Sequence, residues 1–197
     1  MAITTTTTRP ERLHFTNDDE ANVLLARDPL ALLIGFALDQ QVTVQKAFSS
    51  PRELERRLGR PLDAAQIAGM DPGELERHFA ERPALHRFPG AMAKRVQELC
   101  ATIVSEHGGD AERVWADAAD GPDLRRRIAS LPGFGEMKVK ALGAVLAKRF
   151  GVETAQGLVP SHPTLGDVDS AEALDAYQAK KRAYKASVRA GKTGTWT

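Results

Sequence analysis

The chain has 197 residues, 42% hydrophobic and 27% charged, with a formal net charge of +1, enough to bury a sizeable core as one domain or two lobes. No apolar run reaches ~18 residues, which argues against a membrane span, and the Thr-rich N-terminus has no apolar signal region, which argues against export and for a cytoplasmic protein. Cys100 is the single cysteine, so intrachain disulfides and four-cysteine zinc or iron–sulfur sites are excluded.

The predicted elements are nearly all helices. Asp28 caps a helix with Pro29 at its first position. Leu30, Leu32, Leu33, Ile34, Phe36 and Leu38 make that helix apolar on most sides, so it is expected at the centre of the core. Asp39-Gln40-Gln41 interrupts it. Thr43 starts a short helix through Phe48, and Ser50 is expected to cap a separate one from Pro51 to Leu58. Two short helices follow, over residues 62–68 and 71–80. Residues 91–107 read as a long amphipathic helix, with Val96, Leu99, Cys100, Ile103 and Val104 inward, stopped by Gly108-Gly109. A short helix is expected over 113–118, then two over 123–130 and 136–150. Residues 151–169, with Gly157, Pro160, Pro163 and Gly166, read as loop. Ser170 caps a last helix over 171–190. No stretch alternates as a strand does, and no internal repeat is present.

The junction Leu131-Pro132-Gly133-Phe134-Gly135-Glu136-Met137-Lys138-Val139-Lys140 is the most informative stretch. Two helices joined by a tight Pro-Gly-apolar-Gly turn make a hairpin, and glycine lets the turn approach another backbone closely. The second helix starts at the turn, so its unpaired N–H groups and positive dipole end suit a phosphate. Lys138 and Lys140 can add charge-assisted contacts, and Phe134 packs back to hold the turn. An ordinary helical corner with a Gly-rich turn is the competing reading. Charge distribution points the same way. Residues 171–197 carry six lysines and arginines (Lys180, Lys181, Arg182, Lys185, Arg189, Lys192) against Glu172 and Asp175, a net +4, leaving −3 for the rest. A basic tail fits phosphate binding without sequence preference, or simply a solvated helix.

Over roughly residues 20–151 the order and spacing of these elements resemble the helix-hairpin-helix base-excision DNA glycosylase superfamily, which includes endonuclease III, the adenine glycosylases and an alkyladenine branch. The residues carrying the resemblance are Leu32 to Lys46 (a buried helix and a glutamine-bearing turn), Ala93-Lys94-Arg95-Val96, the helix end Glu106-His107-Gly108-Gly109, and the hairpin. Gln40-Gln41 leans toward the alkylbase branch, and the whole is similar to a short, cluster-free actinobacterial-type subgroup. The resemblance implies an all-α, two-lobed fold with a DNA-facing cleft. The central lobe would be residues 29–140. The terminal lobe would combine residues 1–28 with 141–170, followed by a basic helix and tail over 171–197. It also implies a sodium or potassium ion on hairpin carbonyls, by position those of Ala129, Leu131 and Phe134.

The catalytic positions are where this chain departs from the family. The lysine nucleophile of bifunctional members falls on Met137, which cannot form a Schiff base. Lys138, one residue on, is turned by ~100° and is expected to reach phosphate instead. The family's aspartate after the second hairpin helix is absent from Val152-Glu153-Thr154-Ala155-Gln156-Gly157-Leu158-Val159-Pro160-Ser161-His162-Pro163-Thr164. The candidates for its place are Asp39, Asp167 and Asp169, with Glu153 behind them. Asp39 follows a strongly apolar helix and abuts the glutamines; its other reading is a helix-end cap. Gln41 stands where the family fills or probes the gap left by an extruded base, and otherwise reads as a buried amide tying two helix ends. His86 in the loop before the long helix reads as a structural histidine. Trp115 is expected beneath the hairpin, and Trp196 in the tail.

The expectation is a monomeric protein of double-stranded DNA, nucleoid-associated when on DNA. If active, it is a monofunctional glycosylase that extrudes a damaged base and hydrolyses its N-glycosidic bond, without redox cofactor, iron–sulfur cluster or lyase activity. Two alternatives remain open: a non-catalytic DNA-binding or lesion-sensing protein on the same fold, and a helical protein-interaction module.

Overall fold

A computed structural model describes residues 9–191, so Lys192 and Trp196 lie outside the described residues. Among these residues the chain is all-α, with ten α-helices, two 3-10 turns and no strand. In chain order the helices are α1 Asp19–Arg27, α2 Pro29–Leu38, α3 Val44–Leu58, α4 Ala64–Ala68, α5 Pro72–Ala80, α6 Pro89–His107, α7 Arg113–Ala116, α8 Gly121–Ser130, α9 Glu136–Arg149 and α10 Ala171–Arg189. The 3-10 turns, Glu153–Leu158 and Leu165–Asp167, occupy the segment expected to be loop. No single helix among the described residues is long and apolar enough to cross a membrane.

Capping accounts for most of the boundaries. Asp18, Asp28, Thr43, Asp63, Asp71, Asp120 and Ser170 each accept a hydrogen bond from a first-turn N–H of the following helix. Each such cap contributes about 1 kcal/mol. α1 is a further helix, beyond those expected from the sequence. Its signals are Asp18 as cap, Asp19 and Glu20 in the first turn, and Ala21, Leu24 and Leu25 buried along one face.

Around Pro51 the sequence expectation is corrected. Residues 44–58 form one helix with Pro51 inside it, not two helices divided at Ser50. Ser50 is no cap. Its buried hydroxyl lies 2.7 Å from the Lys46 carbonyl and 2.8 Å from the Leu85 carbonyl, tying the proline turn to the 81–88 loop. Val104 is also corrected. It is 37% exposed, and His107 takes the inward position on the last turn of α6.

One contiguous apolar core runs through the molecule, with α2 buried on every side from Leu30 to Leu38. Fully burying a leucine or phenylalanine contributes roughly 1.5–3 kcal/mol. α2 packs on α3, and Phe48 meets Phe15 and Phe36 edge-on at centroid distances of 5.0 and 5.1 Å. α6 packs on α4 and α5, while α9 packs on the two 3-10 turns. Gly166 makes the second of those contacts possible, because a Cβ there would stand 2.6 Å from the Ala144 carbonyl oxygen of α9. The resemblance assigns the segment before α2 to a terminal lobe with the residues after the hairpin. In the structure α1 packs on α2 and α3.

Candidate nucleic-acid interface and carboxylate corner

The hairpin is α8, the turn at residues 131–135, and α9. Leu131 and Phe134 are buried, and the Phe134 N–H donates to the Leu131 carbonyl at 3.1 Å, which closes the turn. Gly133 has φ +85°, in the left-handed region. A Cβ there would also stand 2.6 Å from Cδ of Arg95, so the α6 arginine lies directly on the turn. Pro132 and Gly133 are half-buried and Gly135 is exposed. Gly135 caps α9 without any side-chain hydrogen bond, so the first N–H groups of the helix remain open at the surface. Glu136 in that first turn is neutralised by ion pairs to Arg125 and Lys140.

The two lysines of α9 diverge. Lys140 is surface-facing, 3.4 Å from Glu136, an exposed i,i+4 pair of small energetic weight. Lys138 was expected to reach outward to phosphate, and the structure corrects this. Its ammonium turns inward and donates to the Ala37 carbonyl at the end of α2, at 3.0 Å. The reason is local. The last carbonyls of α2 lack intrahelical partners and carry the negative end of its dipole, so they attract a cation. Burial pushes the Lys138 ammonium down to about 8; Asp39 acts in the opposite sense, and Arg95 and Lys181 depress it further. Met137 is 82% exposed.

Asp39 closes α2 as its C-terminal cap residue, with φ −73° and ψ 69°. Its side chain is only 15% exposed and faces Lys181 of α10, with 3.7 Å between Nζ and Oδ2. Lys181 in turn sits 5.8 Å over the ring of Tyr177. The Tyr177 hydroxyl is pushed up to about 12 by burial, with Asp39 and Asp167 adding to the effect. Asp39, Lys138, Lys181, Arg95 and Tyr177 therefore come from α2, α9, α10 and α6 to one corner beside the hairpin. Arg95, Tyr177 and Lys181 were not singled out from the sequence as parts of such a site. Only the basic character of α10 hinted at the last.

The glutamine turn borders this corner. His86 is buried in the loop before α6. Its Nδ1 accepts from the Phe88 N–H at 3.0 Å, which leaves Nε2 to donate to the Gln40 carbonyl at 2.9 Å. The Gln40 amide reaches the Met92 sulfur at 3.0 Å. Thus Gln40 is pinned, while Gln41 is exposed with φ +55°, the one non-glycine residue among those described with positive φ. Such a conformation costs of order 1 kcal/mol or more. The alternative reading of Gln41, a buried amide tying two helix ends, is corrected: the residue is exposed. Phe88, 42% exposed with the Arg87 guanidinium 5.4 Å from its ring centroid, stands on the same loop.

Of the other candidate carboxylates, Asp167 acts on Tyr177 from the second 3-10 turn but is engaged in local bonds of its own. Asp167 accepts from the Thr164 N–H in a capping box and pairs with Lys148. Burial would raise its pKa, but Lys148 and the Thr164 hydrogen bonds outweigh it and hold the carboxyl below its usual range. Asp169 and Glu153 are exposed. Cys100 is buried in α6 and its thiol is pushed up to about 12 by burial, a packing residue rather than a reactive one. Trp115 is buried on α7, which packs on α8.

The fold and site define an all-helical protein with a helix–hairpin–helix element beside a charged corner. No protein-family model and no curated protein matches the chain. A solved structure described as a trapped endonuclease III–DNA covalent intermediate, estranged-adenine complex, is similar at 19% identity and a TM-score of 0.44. The match covers 68% of this chain and 67% of that one, a likeness too distant to define a family.

Proposed function

We propose that this protein binds double-stranded DNA as a monomer and acts in base-excision repair as a monofunctional glycosylase. The observation that carries the reading is a juxtaposition. The open N-terminal end of α9, with Arg95 and Lys140 beside it, suits a phosphate backbone. Lys138 of the same helix donates to the Ala37 carbonyl, two residues before Asp39, and Asp39, its carboxylate paired with Lys181 of α10, continues directly into the glutamine turn. A carboxylate there is suited to stabilising positive charge on the sugar as the N-glycosidic bond breaks. The bonding pair leaves with the base, water adds to the sugar carbon, and the proton it gives up neutralises the departed base. Gln41, exposed and at positive φ beside the pinned Gln40, suits the gap of an extruded base. The reaction needs no redox cofactor. A monovalent cation, if the hairpin takes one, would use the carbonyls of Ala129, Leu131 and Phe134; that of Leu131 already accepts from Phe134 and keeps one lone pair for an ion.

A second reading is favoured by one observation. Lys138 is an inward amine whose pKa is lowered to about 8, a condition that suits attack on an aldehyde. A lesion-panel glycosylase assay, with and without alkali cleavage, tests the main reading, and borohydride trapping on abasic DNA separates the two. Base release without trapping supports the monofunctional enzyme, and trapping that Lys138→Met removes supports the amine. DNA binding with neither leaves the non-catalytic lesion sensor.

A further inference from the structure

α10 is anchored by its first half only. Leu174 and Gln178 are buried, Tyr177 and Lys181 half-buried, and these four positions make one stripe at helical spacing against the body. Continuing that stripe from Lys181 in steps of four gives Lys185 and then Arg189, both exposed. Each step advances ~6 Å along the helix, so the three cations form a row leading away from the Asp39 corner. Residues 180–189 contain five cations and no acid, while the acids of α10, Glu172 and Asp175, are confined to its first turns. A merely solvated helix gains from opposite charges four apart. Here Lys181–Lys185 and Lys185–Arg189 are like-charge pairs, which cost a few tenths of a kcal/mol each in isolation. Lys180, Arg182, Lys185 and Arg189 have no ion-pair partner among the described residues, and Lys181 meets Asp39 at 3.7 Å, too long for a hydrogen bond and readily exchanged.

We propose that α10 is a second arm of the nucleic-acid interface. Lys185 and Arg189 bind phosphates of the strand running past the Asp39 corner, and Lys181 exchanges Asp39 for a phosphate when they do. Bound DNA thereby removes the cation that faces the carboxylate in the free protein. This rests on the reading of the protein as a duplex-DNA binder, so the test reports on both.

The experiment is a salt series of duplex-binding isotherms with the full chain, comparing wild type, Lys185→Gln/Arg189→Gln and the remote surface control Arg56→Gln. The double variant changes only exposed side chains, and circular dichroism verifies its helix content. Loss of two phosphate contacts lowers the slope of log affinity against log salt by about 1.8 and affinity by roughly tenfold near 0.1 M salt; Arg56→Gln leaves both unchanged. If wild type binds duplex and the double variant matches it in affinity and slope, α10 is outside the interface and the hairpin reading survives. Tighter binding by the double variant also overturns the proposal, because α10 would then be a cover competing with DNA. If wild type binds no duplex DNA, the underlying reading fails and the arm with it.

Discussion

The hairpin turn and the carboxylate corner share α9, yet they are built by different physics. At the turn, backbone does the work: Gly133 at positive φ, the closed Leu131–Phe134 hydrogen bond and the uncapped start of the helix. At the corner, side chains from four helices meet over long sequence distances, with Lys138 reaching 101 positions back to Ala37. Two residues of one helix, Lys138 and Lys140, belong to the two regions, separated by the ~200° of rotation between them. A backbone surface of this kind binds without reading chemistry. A desolvated cluster of opposite charges is where chemistry is tuned.

The largest expected effect tests the corner. Asp39→Asn keeps shape and removes charge, so base release should fall by ~10²-fold or more in single-turnover excision. Duplex affinity should hold or tighten, since a negative charge near the strand is gone. Full excision activity in the variant would assign the chemistry to another group.

Next comes the turn. Gly133→Ala asks an L-residue to adopt φ +85° and drives a Cβ into Arg95. The strain is of order 1–3 kcal/mol, read as a drop in unfolding free energy, and duplex affinity should fall with the displaced turn. Gly133→Asn should be milder in strain because asparagine tolerates this region, though the contact with Arg95 remains. Wild-type stability in the alanine variant would mean the turn can be rebuilt at no cost, and the case for a rigid clamp would collapse.

How much of this was legible beforehand divides along the same line. Local signals were readable: Asp28-Pro29 opening α2, Gly108 ending α6, and the hairpin punctuation. α1 carried a cap and an acidic first turn and could have been read. Pro51 misled because the rule that proline opens a helix ignores a hydroxyl that re-engages the backbone, as Ser50 does through Lys46 and Leu85. Lys138's direction was not readable, because the carbonyl that captures it lies at the end of another helix. Lys181 at Asp39 is likewise a tertiary fact, with only the charge of α10 in view.

The Lys138 ammonium supplies a pH test of the corner. Its folded pKa lies near 8, below the 10.5 of the free side chain. Between those values the unfolded chain holds more protons than the folded one, so stability from this group rises with pH. Below about 8 both states are protonated and the burial penalty is fully present; it is relieved as pH climbs toward 10.5. Unfolding measured from pH 7.5 to 10.5 should therefore show wild type gaining on Lys138→Met as pH rises. A flat difference would place the amine in solvent, away from Ala37 and Asp39.

The smallest effect belongs to the exposed lysine. Lys140 holds an exposed pair with Glu136, so Lys140→Gln should change stability by less than about 1 kcal/mol. Its expected effect is on binding: the loss of one phosphate contact, with the salt slope falling by about 0.9 and affinity by a few-fold on every duplex sequence alike. Lys138→Gln makes the comparison sharp. It sits two residues away on the same helix and should alter the pH dependence of folding while leaving the salt slope nearly untouched, because its ammonium already serves a carbonyl inside the protein. Were the two variants to lose equal salt slope, Lys138 would have to swing out to the strand on binding. The corner would then be assembled only in the free protein, and the division between a backbone-built clamp and a side-chain-built site would no longer hold.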